Sequence, residues 1–214
     1  MDRGPNAGWP HGLAIGGVDA PGPSGASHPM KPNWFIGMPF AADRPLVAAP
    51  EGLRVFEPVD LHVTAAFLGG VSASHAEACW AAVRGFAFTS FAASLGEVRL
   101  LGANAVSLVL EEGFESAAEV MREVCARLEG EALLRPDPRP PLPHVTVART
   151  RRRASPEEQA QAIDWAEAAF AKARAQIDAL ALYTWSSTRP KPPFVVRAQR
   201  QMGDGGLPDT ASDS

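Results

Sequence analysis

The chain has 214 residues, 46% of them hydrophobic and 21% charged, and a formal net charge of −4. That is enough apolar material for one good-sized core, or for two small lobes sharing one, and the charge excludes a protein that coats nucleic acid through bulk basicity. No run of 18 apolar residues and no charged-then-apolar leader exists, so neither a membrane span nor a secretory signal is expected. The two cysteines, Cys79 and Cys125, lie far apart in helix-like stretches. They build neither a disulfide framework nor a zinc site, and a reducing cytoplasm is the expected compartment.

Proline and glycine are abundant, at 20 and 19 residues, and thirteen of them fall in the first 33 positions. Residues 1–32 carry no apolar periodicity and read as a disordered tail, as do residues 203–214. Residues 33–202 form the expected domain. Trp34–Phe40 is a short apolar run bounded by Pro, a strand candidate. Leu61–Leu68 alternates and stops at Gly69-Gly70, a second strand. Ser74 and Glu77 have capping-box spacing and are expected to open a helix running to Arg84. Phe86–Leu101 reads as one or two strands and Ala105–Leu110 as another. From Ser116 to Leu128, Val120, Met121, Val124, Cys125 and Leu128 share a helical face, with Gly130 as the stop. A Pro-rich linker, Arg135–Pro143, leads into a strand at His144–Ala148. Ser155-Pro156-Glu157-Glu158 has the N-cap, Pro and Glu of a helix start, and the helix is expected to reach about Gln176. Asp178–Trp185 and Phe194–Gln201 are the last strands. Strands outnumber helices without strict alternation, which favours an α+β fold with antiparallel sheets.

Histidine is scarce: His11, His28, His62, His75 and His144. Two of the five begin the same tripeptide, His62-Val63-Thr64 and His144-Val145-Thr146. With Thr at only seven positions, such a coincidence has a chance on the order of 1%. Both copies follow a Pro-containing lead-in and begin a predicted strand. Residues i and i+2 of a strand share a face, so His62 goes with Thr64, His144 with Thr146, and Val63 and Val145 point into the core. Two imidazoles and two hydroxyls across one cleft suit a phosphodiester. One imidazole takes a proton from the attacking water and the other gives one to the leaving oxygen. The hydroxyls donate to the non-bridging oxygens, where charge accumulates, and no metal or other cofactor is required. A zinc site using His62, His144 and either His75 or Asp60 is the competing arrangement. It lacks the close His spacing of such sites, and Thr is a poor zinc ligand.

The paired HVT motifs, FLGG after the first and VAR after the second resemble the 2H phosphoesterase superfamily, in its bacterial 2′-5′ RNA ligase / RNA 2′,3′-cyclic phosphodiesterase branch. The likeness runs from about Asn33 to Met202. It takes in NWFIGMPF, AVSLVLEEG, PPLPHVTVAR and ALALYTWSSTRPKPPFVVRAQRQM. It implies a bilobal, pseudo-symmetric α+β fold with two antiparallel β-sheets facing a central groove and helices outside. It implies metal-independent hydrolysis of RNA 2′,3′-cyclic phosphate ends to 2′-phosphates, with reversible 2′-5′ ligation as a companion activity. His62 is then the proton donor, His144 the proton acceptor, and Thr64 and Thr146 bind the phosphate. The substrates implied are RNA ends or small cyclic nucleotides, met by a monomer. Alternatives are a related activity on another small cyclic phosphate or a 2′-5′ oligonucleotide, and a catalytically idle RNA-end-binding module.

The chain departs from the family pattern in three places. The long front tail is unusual, and MKPNWFIGM resembles a family start, so translation is expected to begin at Met30. Ala41–Leu53 is short and Pro-rich where relatives commonly carry a helix. Ala66 stands where many relatives have a basic residue. Arg149 is expected to face the site, since family members keep Arg there, while Arg151, Arg152 and Arg153 are either phosphate contacts or a solvated loop. Tyr183 and Trp185 are candidates for stacking on a terminal base, with core packing as the other reading. Phe40 and Phe56 are weaker candidates of the same kind. Asp60 either orients a neighbour or makes a turn.

Overall fold

The computed structural model describes residues 32–42, 47–185 and 194–203. Apart from Pro32 and Gly203, the two tails expected to be disordered lie outside the described residues, as do His11, His28 and the segment joining the last two strands. In chain order the strands are β1 Trp34–Pro39, β2 Arg54–Val55, β3 His62–Gly69, β4 Phe91–Leu101, β5 Ala105–Leu110, β6 His144–Arg149, β7 Arg174–Ile177, β8 Ala179–Trp185 and β9 Phe194–Gln201. The helices are α1 Ala73–Val83, α2 Phe114–Gly130 and α3 Pro156–Phe170, and a 3₁₀ turn, Pro58–Asp60, leads into β3.

The strands pair antiparallel in the order β7-β4-β5-β6-β3-β1-β8-β9, with β2 added beside β6. The fold is α+β, and its pseudo-symmetry is visible in that order. One half is β7-β4-β5-β6, the other β3-β1-β8-β9, and each places an HVT strand at its inner edge. The halves meet where β3 lies against β6, through the single pair Val63 and Val145. The two expected sheets are therefore continuous with one another at the motif strands. The valines are 1% and 0% exposed and belong to the main core. Helix α2 packs on β3, α3 on β4 and β5, and α1 on α2 and β1. Val120, Val124 and Leu128 of α2 enter that core, with Met121 and Cys125 at its edge, as their shared helical face requires. Among the described residues no helix is long and apolar enough to cross a membrane.

Local chemistry fixes the ends of the elements. Ser155 caps α3 through a capping box: its hydroxyl accepts from the Glu158 amide at 3.3 Å, and Glu158 Oε2 accepts from the Ser155 amide at 2.7 Å. Helix α1 is capped two residues earlier than its spacing suggests. Ser72, not Ser74, accepts the His75 amide, at 3.2 Å. Gly113 opens α2 at φ 76°, and a Cβ there would stand 2.6 Å from the Ala92 carbonyl oxygen, so only glycine fits.

The largest departure from expectation is the end of α3. The helix stops at Phe170, not Gln176. Lys172 takes a positive φ of 62° and donates its amide to the Leu95 carbonyl at 2.8 Å. The chain then pairs Arg174–Ile177 against Ser94–Phe91 of β4. The run AKARAQ has helical propensity, but pairing with an open sheet edge overrides it. The short β2 also escaped the pattern, and Phe86–Leu101 resolves into one strand beginning at Phe91.

Candidate active site

The two motifs stand side by side and are built alike. In each, His and Thr are partly exposed and the intervening Val is buried, so His62, Thr64, His144 and Thr146 lie on the sheet face turned away from the helices. His62 Nδ1 bonds the Asp60 carbonyl oxygen at 2.7 Å, and His144 Nδ1 bonds the Leu142 carbonyl oxygen at 2.6 Å. A carbonyl only accepts, so Nδ1 carries the proton in both rings. Nε2 is then the lone-pair nitrogen of each neutral imidazole. No described residue hydrogen-bonds either Nε2. The lead-ins explain the brace. The 3₁₀ turn before β3 and the Pro-rich linker before β6 each aim a carbonyl at the ring two residues on. Asp60 therefore does orient a neighbour, through its backbone.

A second shared device follows the tripeptides. Against β1, Gly37 pairs with Thr64 and Ile36 with Ala66, leaving Ala65 extra. Against β5, Ser107 pairs with Thr146 and Val106 with Ala148, leaving Val147 extra. Both strands thus carry a β-bulge at the residue after Thr. In a regular strand the residue five after His would point into the core. The bulge reverses that parity, so Phe67 and Arg149 join their motif's His and Thr on one face. Phe67 is 59% exposed. Arg149 is partly buried and donates from Nη1 to Asn104 Oδ1 at 3.2 Å, while Asn104 Nδ2 donates to the Thr150 carbonyl at 3.0 Å.

The flanking strands break the symmetry. His62 stacks on Phe35, with centroids 4.6 Å apart, and on Tyr183 at 5.2 Å, while Phe194 meets its ring edge-on at 5.1 Å. Phe35 and Tyr183 stack on each other at 4.8 Å. Gly37 makes room for this cluster, since a Cβ there would lie 3.1 Å from the Val63 carbonyl oxygen and 3.4 Å from His62 Cδ2. Burial among these rings holds the His62 pKa at about 4; the nearby His144 also lowers it, against the Asp60 carbonyl bond, which raises it. Burial also lowers the His144 pKa, opposed by its carbonyl bond. His144 has β5 beside it instead of aromatic rings: it pairs with Val109, and Thr146 and Ser107 share a hydroxyl–hydroxyl bond of 2.9 Å.

Other expected contacts fall elsewhere. Tyr183 is 2% exposed, so it walls His62 and offers no open face to a base. Phe40 is core, and Phe56 is buried edge-on to Phe194 at 5.7 Å. Trp185 is 43% exposed, beside Phe194. Arg151 pairs with Glu158 at the start of α3, at 2.6 Å, and Arg152 and Arg153 are exposed. His75 is half-buried in the first turn of α1: its Nε2 donates to the Leu133 carbonyl at 2.9 Å, tying α1 to the segment after α2. Among the described residues no group of three or more His, Cys, Asp or Glu could hold a metal ion. Sequence reasoning missed Phe35, Phe194, Ser107 and Asn104. Phe35 was within reach, since strand alternation puts it on the same face as Gly37 and opposite the core-facing Ile36.

Comparison with known proteins agrees with this fold. No curated protein matches the chain. Among solved structures, one described as a phosphoesterase superposes with a TM-score of 0.60 at 18% identity, over 80% of this chain and 98% of its own. LigT from Escherichia coli, crystallised with 3′-AMP, gives 0.57 at 18% identity over the same shares. TT0787 from Thermus thermophilus gives 0.53 at 20% identity, over 79% of this chain and 97% of its own. These similarities establish the fold. The family model for the 2′-5′ RNA ligase superfamily matches residues 47–189, a span holding both HVT motifs, and the chain belongs to that superfamily.

Proposed function

We propose that this protein hydrolyses RNA 2′,3′-cyclic phosphate ends to 2′-phosphates without a metal, using His62 and His144 as the proton-transfer pair. The observation that carries the reading is the duplicated imidazole. Two rings on adjoining strands have Nδ1 fixed by a backbone carbonyl and Nε2 free of partners among the described residues. In the reaction, His144 Nε2 takes a proton from water as the water oxygen bonds to phosphorus. The bond from phosphorus to O3′ breaks, and protonated His62 gives its Nε2 proton to O3′. The products are a 2′-phosphate and a free 3′-hydroxyl. Thr64 and Thr146 donate to the non-bridging oxygens. With Ser107 as the donor in its bond to Thr146, the Thr146 hydrogen is left for the phosphate. Arg149, braced by Asn104, adds a fixed positive charge on the same face.

His62 is neutral in the free protein near pH 7. An arriving phosphate anion raises its proton affinity, so the acid form is made on binding. Ligation is the same displacement with a 5′-hydroxyl in place of water, and yields a 2′-5′ linkage. LigT has been crystallised with 3′-AMP, NADP+, ATP and phosphate, in keeping with a nucleotide phosphate as ligand here.

The test is a panel of RNAs ending in 2′,3′-cyclic phosphate, other small cyclic phosphates and 2′-5′ linked oligonucleotides, with product phosphate position read by NMR. Turnover is expected with the RNA ends and should survive EDTA. His62→Ala and His144→Ala should each lose at least ~10²-fold, and Thr64→Ala or Thr146→Ala less. Binding without ring opening, or turnover that survives the double His replacement, sinks the proposal.

A further inference from the structure

A second cation stands beside Arg149. Strand β2 pairs with β6 so that Arg54 lies directly opposite Arg149, and directly opposed residues share a face. Because the Val147 bulge has already brought Arg149 to the face of His144 and Thr146, Arg54 is on that face too. Its guanidinium sits over the Phe56 ring, 5.8 Å from the centroid. Phe56 meets Phe194 at 5.7 Å, and Phe194 meets His62 at 5.1 Å. Arg54 is therefore connected to both halves of the site, to the second motif through Arg149 and to the first through the aromatic cluster.

Two guanidinium groups opposed across paired strands repel. Burial and the Arg54 charge together lower the Arg149 pKa. Neither Arg is within ion-pair distance of a carboxylate among the described residues. The Arg149 partner is a neutral amide and the Arg54 partner a ring face. Such a pair is completed by an anion from outside. The reacting phosphate is already served by two imidazoles and two hydroxyls. Arg149 follows Thr146 by three residues, so at about 3.3 Å per residue the pair begins within roughly 10 Å along the strand. That places it next to the reacting group and not on it.

We propose that Arg54, with Arg149, forms a second anion subsite that takes a further phosphate of the substrate, one nucleoside removed from the phosphate being opened. This rests on the reading of the His–Thr site as the place of the reacting phosphate. The second phosphate is either the internucleotide diester of an RNA chain or the 5′-monoester of a single nucleotide. In both cases the subsite selects substrates with two phosphates over those with one.

The experiment uses the full chain and unreactive product-like probes, read by titration calorimetry. The probes are a nucleoside 2′-phosphate, the matching nucleoside 2′,5′-bisphosphate and a dinucleotide ending in 2′-phosphate. The measured quantity is the affinity ratio of each two-phosphate probe to the one-phosphate probe. About tenfold is expected, the effect of one charge-assisted contact. Arg54→Gln should bring the ratio close to one, and Arg54→Lys should keep most of it. For the dinucleotide, Arg54→Gln should also lower the slope of log affinity against log salt by about 0.7. A gain with both two-phosphate probes assigns a general phosphate subsite. A gain with the bisphosphate alone assigns a terminal monoester, and with the dinucleotide alone a chain diester. A wild-type ratio near one, or a ratio that Arg54→Gln leaves unchanged, overturns the proposal. Absent turnover of cyclic ends with the ratio intact would instead overturn the function and leave the subsite standing.

Discussion

The enclosure of His62 makes a prediction about stability that does not depend on any substrate. In the unfolded chain its imidazole has the ordinary pKa of 6.5, and in the fold it is held at about 4 by burial against Phe35, Tyr183 and Phe194. As pH falls below 6.5, the unfolded state takes up a proton that the folded state refuses. Stability therefore declines from pH 6.5 downward and levels off below pH 4, where both states are protonated. The full difference is worth about 3 kcal/mol, and about 2.5 kcal/mol of it falls between pH 7.5 and pH 4.5. Replacing His62 with Gln removes this one contribution and leaves every other titrating group in place. Urea unfolding of both proteins at the two pH values isolates it as a difference of differences. The wild type should lose about 2.5 kcal/mol more than His62→Gln on acidification. A direct check is the NMR titration of the His62 ring, expected to be centred well below the free value. Equal acid losses in the two proteins, or a ring that titrates near 6.5, would refute the reasoning.

The same low proton affinities shape the rate profile of the proposed reaction, which needs one imidazole protonated and one neutral. Since both pKa values lie below 6.5, kcat/KM should peak on the acid side of 6.5, while kcat peaks at higher pH because bound phosphate favours the imidazolium; a kcat/KM maximum above pH 7.5 would contradict this. Gly37→Ala brings a methyl to 3.1 Å from the Val63 carbonyl oxygen and 3.4 Å from the His62 ring. It should cost on the order of 1 kcal/mol in denaturant unfolding, in the range of mild overpacking, and lower turnover several-fold; a variant neutral in both would show that the cluster has slack.

Much of this molecule was legible before its structure, and the missed parts share a cause. Short apolar or alternating runs placed β1, β3, β5, β6, β8 and β9, because each buries one face or both and the pattern of apolar residues records that. The Ser155 capping box is written in four adjacent residues. The repeated HVT tripeptide marked the site, and period-two geometry put His and Thr on one face. The bulges at Ala65 and Val147 could not be read in this way. A bulge belongs to the pairing of two strands, and HVTAAF or HVTVAR alone gives no sign of an extra residue. Simple parity would have turned Arg149 away from the site; it was the family resemblance, not the spacing, that pointed to it. Strand β7 and the position of Arg54 were hidden for the same reason, since each depends on a partner strand distant in sequence. Tyr183 shows the converse limit. An aromatic in a late strand is readable, but whether its ring faces a ligand or a histidine is decided by what β1 places beside it.

The duplication supplies geometry, and the neighbours supply the difference between the copies. Both motifs have the same tripeptide, the same carbonyl brace on Nδ1 and the same bulge after Thr. Left identical, the two rings would gain and lose protons together, and a pair that changes together is poorly suited to holding one proton between them. The strands alongside prevent this. Beside β3, β1 and β8 bring Phe35 and Tyr183 onto His62 and shield much of its ring from water. Beside β6, β5 brings Val109 and Ser107, and Ser107 is committed to the Thr146 hydroxyl. The proton is thereby hardest to keep at His62, the ring whose proton affinity an incoming anion raises in the proposed reaction. Unequal enclosure of two equal motifs thus makes the state of the pair responsive to what occupies the cleft, which neither motif could achieve as an exact copy of the other.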